Sequence, residues 1–216
     1  LGRALAAETR ARGCHVLLAP TVNIHRTPLG GRNFECYSED PYLTSRLAVA
    51  YVRGVQSGGV ATTTKHFVAN DSEYERNSID SVVPERALRE VYLAPFEAVV
   101  TEAAAWGIMS SYNRVDETFM GENHRLLTGV LRDEWGFDGV VVSDWCGTRS
   151  TETAVRAGLD LEMPGPGHHY GDQLIEAVRA GDVDESLLDR AVRRILLLLE
   201  RTGALDDPLD VPEREL

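Results

Sequence analysis

A carboxylate ends a buried-strand pattern at Gly139-Val140-Val141-Val142-Ser143-Asp144-Trp145. Three consecutive valines read as a strand covered on both faces, the pattern of a parallel sheet. An acid at the end of such a strand is desolvated on one side and open to ligand on the other. It can serve as a nucleophile or as a proton-transfer group. The same position also suits an Asp that starts a turn or caps the next helix. Trp145 beside it offers a flat apolar face of the kind a sugar ring covers. A second signal is compositional: of 22 basic residues, Lys65 is the only lysine. Arginine meets every general need for positive charge, so one lysine points to a task suited to a compact, strongly hydrated ammonium.

Asp144, Lys65, His66 and Arg32 together are compatible with three chemistries. Glycoside hydrolysis would use the carboxylate as nucleophile and the cationic and neutral donors to hold sugar hydroxyls. Schiff-base chemistry would use Lys65, but it needs a neutral amine, and Thr62, Thr63 and Thr64 are polar neighbours that favour a charged one. Metal-assisted hydrolysis would use His66 with carboxylates, but no third ligand stands at a workable spacing, and His168-His169 lies in a Gly/Pro loop. No metal is therefore expected.

These groups must be positioned by an alternation of strand-like and helix-like runs. The N-terminal residues 1–12 read as a helix closed by Gly13. Residues 16–24, 60–67, 107–113, 140–144 and 159–163 read as strands. Asp40-Pro41 starts a helix, with Asp as N-cap and Pro at the first helical position, running to about Gln56. Pro84 opens another helix that Pro95 should kink or break. Further helices are expected at 125–135, 172–180 and 184–202. Repeated alternation gives an α/β fold with a parallel sheet. No GxGxxG follows the first strand, which disfavours a dinucleotide-binding sheet.

Polar clusters stand at five predicted strand ends: Asn23-Ile24-His25, Lys65-His66, Ser110-Ser111-Tyr112-Asn113, Ser143-Asp144-Trp145 and Asp160-Leu161-Glu162. A TIM-type (β/α) barrel places its catalytic groups on that rim. Five strands do not close an eight-stranded barrel, so an incomplete barrel lacking its first strands is expected. Residues 1–203 would form it, and the acidic, Pro-containing 204–216 would be a linker.

The chain has 216 residues, 34 acidic against 22 basic, for a net charge of −12. Phosphate contacts need a basic surface, so nucleic acid and anionic membranes are disfavoured as partners. Three widely spaced cysteines (Cys14, Cys36 and Cys146) form no CxxC pair, which favours reduced thiols and a cytoplasmic rather than secreted protein.

The chain resembles the barrel domain of family-three glycoside hydrolases, in particular the bacterial β-glucosidase branch. The matching segments are Leu18-Ala19-Pro20-Thr21-Val22-Asn23-Ile24, Gly31-Arg32-Asn33-Phe34-Glu35, Ser38-Glu39-Asp40-Pro41, Lys65-His66-Phe67-Val68-Ala69-Asn70, Met109-Ser110-Ser111-Tyr112-Asn113, Val141-Val142-Ser143-Asp144-Trp145 and Met163-Pro164-Gly165, in the family's order. The resemblance implies a retaining exo-β-glycosidase, a β-glucosidase before a β-xylosidase or arabinosidase, with no cofactor. A non-catalytic sugar-binding fragment is the other reading.

By the same resemblance, Asp144 matches the nucleophile. Arg32, Lys65, His66 and Arg76 match residues that bind sugar hydroxyls. Met109 and Tyr112 match the pocket lining, and Trp145 matches an aromatic beside the sugar. Glu35, Asp160 and Glu162 are expected to orient loops and basic side chains rather than to react. Some relatives carry the general acid on the loop after Lys-His-Phe, with Pro-Gly and further histidines. Here that loop is Val68-Ala69-Asn70-Asp71-Ser72-Glu73. The resemblance therefore implies a Glu on a second α/β domain downstream, and a 216-residue chain with little activity alone.

Overall fold

The structure is a computed structural model that describes residues 1–206. Four parallel strands form the main sheet: β1 (Val16–Leu17), β2 (Ala61–Phe67), β4 (Gly107–Ser110) and β7 (Val140–Ser143), paired in the order β1-β2-β4-β7. A small second sheet joins β3 (Asp80–Ser81), β5 (Arg114–Val115) and β6 (Thr118–Phe119). Strand order in the main sheet follows chain order without the reversal that marks a doubly wound sheet, so it is an arc of the barrel type.

Glycine opens β4 and another stands immediately before β7, because the backbones there run close together. A Cβ on Gly107 would lie 2.8 Å from the Thr62 carbonyl oxygen, and one on Gly139 would run into that of Trp106.

The helices are α1 (Gly2–Ala11), α2 (Pro41–Gln56), α3 (Glu85–Ala87), α4 (Ala94–Thr101), α5 (Glu152–Ala157), α6 (Asp172–Ala180) and α7 (Glu185–Thr202). Asp40 caps α2 by accepting from the Tyr42 amide at 2.8 Å, and Asp184 caps α7 through Ser186 in the same way. One face of the strands, with Ile108 and Val141, packs into a large core with Val49, Val52, Phe96, Val99 and Leu127 from the helices. The other face, with Met109, Val140 and Val142, packs against Leu18, Met163 and, from α7, Ile195 and Leu198. Leu187 and Leu188 of the same helix pack on a separate cluster with Val155 and Leu174.

The expected first and last strands are only partly regular. After β1 the ladder breaks at Pro20, which has no N–H to give, and resumes where Thr21 bridges Lys65. The expected strand at 159–163 makes one bridge, Leu161 to Val142. Its neighbour Asp160 donates its amide to the Val141 carbonyl oxygen at 2.9 Å and accepts the Val141 amide on its side chain at 2.8 Å. The helix opened by Pro84 does break: five residues, Leu88–Tyr92, form a π turn, and α4 restarts with Pro95 in its first turn. The segment Arg125–Glu134 is π-helical rather than α-helical. Of the expected linker 204–216, residues 207–216 lie outside the described residues.

Candidate active site

The C-terminal ends of β1, β2, β4 and β7 point the same way, and the site is built on that rim. β7 delivers Asp144, whose carboxylate is almost buried at 11 % side-chain exposure. Its Oδ1 accepts from the Trp145 amide at 2.7 Å. Its Oδ2 is buried, lies 3.4 Å from His66 Nε2, and has no hydrogen-bond partner among the described residues. One oxygen is thus held by the backbone, while the other is left with a free lone pair.

His66 comes from β2, one residue after Lys65; the Lys65–His66 peptide bond is cis. Asn23 holds it from the segment after β1. The Asn23 Nδ2 donates to the His66 carbonyl oxygen at 3.0 Å, and the Asn23 Oδ1 accepts from the His66 amide at 2.9 Å. Arg32 Nη1 lies 3.1 Å from His66 Nε2. Burial pushes the imidazole well below its ordinary pKa, and the charges of Arg32, Lys65 and Arg76 push it the same way. His66 is therefore neutral in the resting site.

Arg32 is anchored by Glu35 at 2.6 Å, and Glu35 also accepts from Thr21 at 2.6 Å. Burial raises the Glu35 carboxyl, but the hydrogen bonds from Arg32 and Thr21 outweigh it, and the group stays below its usual range. Lys65 is half-buried. Burial lowers its ammonium pKa, while Glu35 and Asp144 act in the opposite sense.

Arg76 pairs with Glu73 at 2.5 Å and lies over the Tyr112 ring, 4.8 Å from its centroid. Glu73 also accepts from Asn70 at 3.3 Å. The Tyr112 hydroxyl donates to the Trp145 carbonyl oxygen at 2.8 Å. Burial, with the negative charge of Asp144 beside it, pushes that phenol up to about 12.

The structure thus gathers Asp144, His66, Arg32, Lys65, Arg76 and Tyr112 on one rim. Trp145 joins through its backbone, and the residue is 41 % exposed. Met109 is only 2 % exposed and packs with Val140 and Val142 in the inner cluster. Glu35 and Glu162 act as orienting groups. Glu162 accepts from the amides of His169 and Tyr170 at 2.9 and 2.7 Å, which fixes the Gly/Pro loop. Asp160 binds Arg132 at 2.6 Å and Arg194 at 2.7 Å. In the sequence Asn23 stands only as part of a strand-end polar cluster, and Thr21 and Glu73 carry no assigned role, because each works through a partner placed by folding.

Among the described residues no group of three His, Cys, Asp or Glu side chains is placed to hold a metal ion. Among them, too, no helix is long and apolar enough to cross a membrane. The three thiols are unpaired.

A family model, the glycosyl hydrolase family 3 N terminal domain, matches residues 1–198. The chain belongs to glycosyl hydrolase family 3. As a family 3 chain it is similar to a beta-glucosidase of Rhizobium radiobacter, 58 % identical over 215 residues that make up 100 % of this chain and 26 % of the relative. It is also similar to a probable beta-glucosidase J of Aspergillus fumigatus, 49 % identical over 100 % of this chain and 25 % of that protein. Among solved structures, the family 3 beta-glucosidase of Bifidobacterium adolescentis matches with a TM-score of 0.92 and 42 % identity, over 100 % of this chain and 31 % of that one. Beta-glucosidase 3B of Thermotoga neapolitana matches at 0.89 and 45 %, over 93 % and 29 %. The family 3 chain spans about a quarter of the length of these curated relatives. The likeness to the solved structures supports the TIM-type reading of the sheet.

Proposed function

We propose that this chain is the nucleophile-bearing part of a retaining, exo-acting β-glucosidase. The observation that carries the reading is the Asp144 carboxylate: one oxygen is fixed by the Trp145 amide, and the other is buried, unpartnered and set on a rim of hydrogen-bond donors. That oxygen has the lone pair a nucleophile needs. Arg32, Lys65 and Arg76 supply charged donors for the hydroxyls of one sugar unit, and the exposed Trp145 ring supplies an apolar face for it.

In the whole enzyme Asp144 Oδ2 attacks the anomeric carbon while a carboxylic acid elsewhere in the polypeptide protonates the leaving oxygen. The resulting glycosyl ester is then hydrolysed by water, deprotonated by that same group, with net retention. Such a pair stands about 5–5.5 Å apart. The proton donor is expected on a second domain outside these residues, so the substrate site is completed by the same polypeptide. We also propose a reducing compartment, the cytoplasm, a reading supported by the three unpaired thiols. Fractionation that recovers the enzyme outside the cell would overturn this placement.

The test is Asp144→Gly in the full-length enzyme, assayed on an aryl β-glucoside with and without azide. The variant should be inactive alone, and azide should enter the vacated space and form the α-glucosyl azide. Near-normal hydrolysis by the variant would sink the assignment.

A further inference from the structure

We infer that Asn23 is a positioning residue that fixes the proton of His66 on Nδ1, and that this keeps Asp144 Oδ2 free of a hydrogen bond from His66. The inference rests on the reading of Asp144 given above. The His66 amide can only donate and its carbonyl can only accept. Their contacts at 2.9 and 3.0 Å therefore assign Oδ1 and Nδ2 of Asn23 without ambiguity. His66 Nδ1 lies 3.3 Å from that same Oδ1, an acceptor, so Nδ1 must carry the hydrogen.

The other end of the ring gives the same answer independently. Arg32 Nη1, 3.1 Å from His66 Nε2, belongs to a guanidinium and can only donate, so Nε2 is bare. A bare Nε2 has no proton to offer Asp144 Oδ2 at 3.4 Å, and that oxygen is indeed buried without a partner. Asn23 and His66 are 6 % and 2 % exposed, so bulk water has little part in setting the tautomer.

The charged groups around the ring act in the same direction. Arg32, Lys65 and Arg76 face it as cations and oppose a second proton. Asp144 alone would favour one, and Glu35 and Glu73 are engaged by Arg32 and Arg76. An imidazolium would donate from Nε2 to Asp144, turn the Arg32 contact into a clash of donors, and weaken the nucleophile. An amide at position 23 orients the ring without adding a charge that would invite this proton.

The experiment is Asn23→Asp in the full-length enzyme, with Asn23→Ser as a neutral control. The new carboxylate should stabilise the imidazolium. The acid limb of the kcat/KM profile on an aryl β-glucoside should then move up by about one pH unit or more, with recovery on the alkaline side. Asn23→Ser should lower kcat/KM with the limb unmoved. Neutron diffraction of the wild-type enzyme should find deuterium on Nδ1 and none on Nε2. A proton on Nε2, or an Asn23→Asp limb that coincides with wild type in a folded enzyme, would overturn the inference. Failure here alongside an inactive, azide-rescued Asp144→Gly would leave the nucleophile assignment standing.

Discussion

The Tyr112 hydroxyl donates to the Trp145 carbonyl oxygen at 2.8 Å, tying the segment after β4 to the segment after β7. The Trp145 amide in turn holds Asp144 Oδ1 at 2.7 Å, so one peptide unit of the nucleophile's neighbour is fixed at both ends. Tyr112→Phe should free that peptide while leaving the ring stacked under Arg76. We expect kcat in the full-length enzyme to fall roughly 5- to 10-fold, the value of one positioning hydrogen bond of about 1 kcal/mol. Melting temperature should change little, and steady-state kinetics with a thermal melt separate the two effects.

Lys65 should act as a charged donor to substrate rather than as a covalent catalyst. Lys65→Met should lower kcat/KM roughly 10- to 100-fold, the cost of one charge-assisted hydrogen bond. Lys65→Arg should not restore it, because the planar guanidinium is wider and less deeply seated than an ammonium. Borohydride with a carbonyl substrate should leave the wild-type mass unchanged. A reduced adduct on Lys65 would instead favour Schiff-base chemistry, toward which the burial-lowered ammonium pKa leans.

Asp71 should make stability depend on pH. Its carboxyl, pushed up from 3.8 to about 6 by burial, keeps a proton in the folded protein that the unfolded chain has already released; the Ile24 amide and Arg26 offset this only in part. Between about pH 4 and 6 the folded state therefore binds more protons, and stability falls as pH rises through that window. Asp71→Asn keeps an oxygen for the Ile24 amide, 3.3 Å away, without the titration. The melting temperature of this variant relative to wild type should rise from about pH 4.5 to 7; a constant difference would show that Asp71 does not titrate there.

Asp160 should matter for folding and not for chemistry. Its side chain is 1 % exposed and compensates both Arg132 and Arg194. Asp160→Ala would leave the buried Arg132 guanidinium without its counter-charge, a loss of roughly 3–5 kcal/mol by comparison with broken buried pairs. Soluble yield and denaturant midpoint should drop sharply. Any enzyme that does fold should retain near-normal KM.

The features legible in sequence were those with local signatures. The valine run before Asp144, the Asp40-Pro41 cap, the break near Pro95 and the single lysine all express backbone or compositional constraints a few residues long. What escaped depends on partners far along the chain. Asn23 and His66 are 43 residues apart, and no periodicity links them. The β5–β6 hairpin turns through Asp116 and Glu117, both with positive φ, where no glycine announces the turn. A brace from outside stands in for it, because the Glu117 amide donates to the Asp80 carboxylate at 3.0 Å. Met109, which the resemblance matches to the pocket lining, is 2 % exposed and packs with Val140 and Val142.

In the main sheet each strand pairs with the one that precedes it there, so the ladder is already ordered for vectorial synthesis. As the chain leaves the ribosome, no later strand has to insert between two earlier ones, which keeps the search for partners short. The Asn23, Arg32 and Glu35 scaffold can close on Lys65 and His66 before the valine strand emerges. The nucleophile is then the last of the rim's principal groups to arrive, meeting a cradle of donors that has already been set.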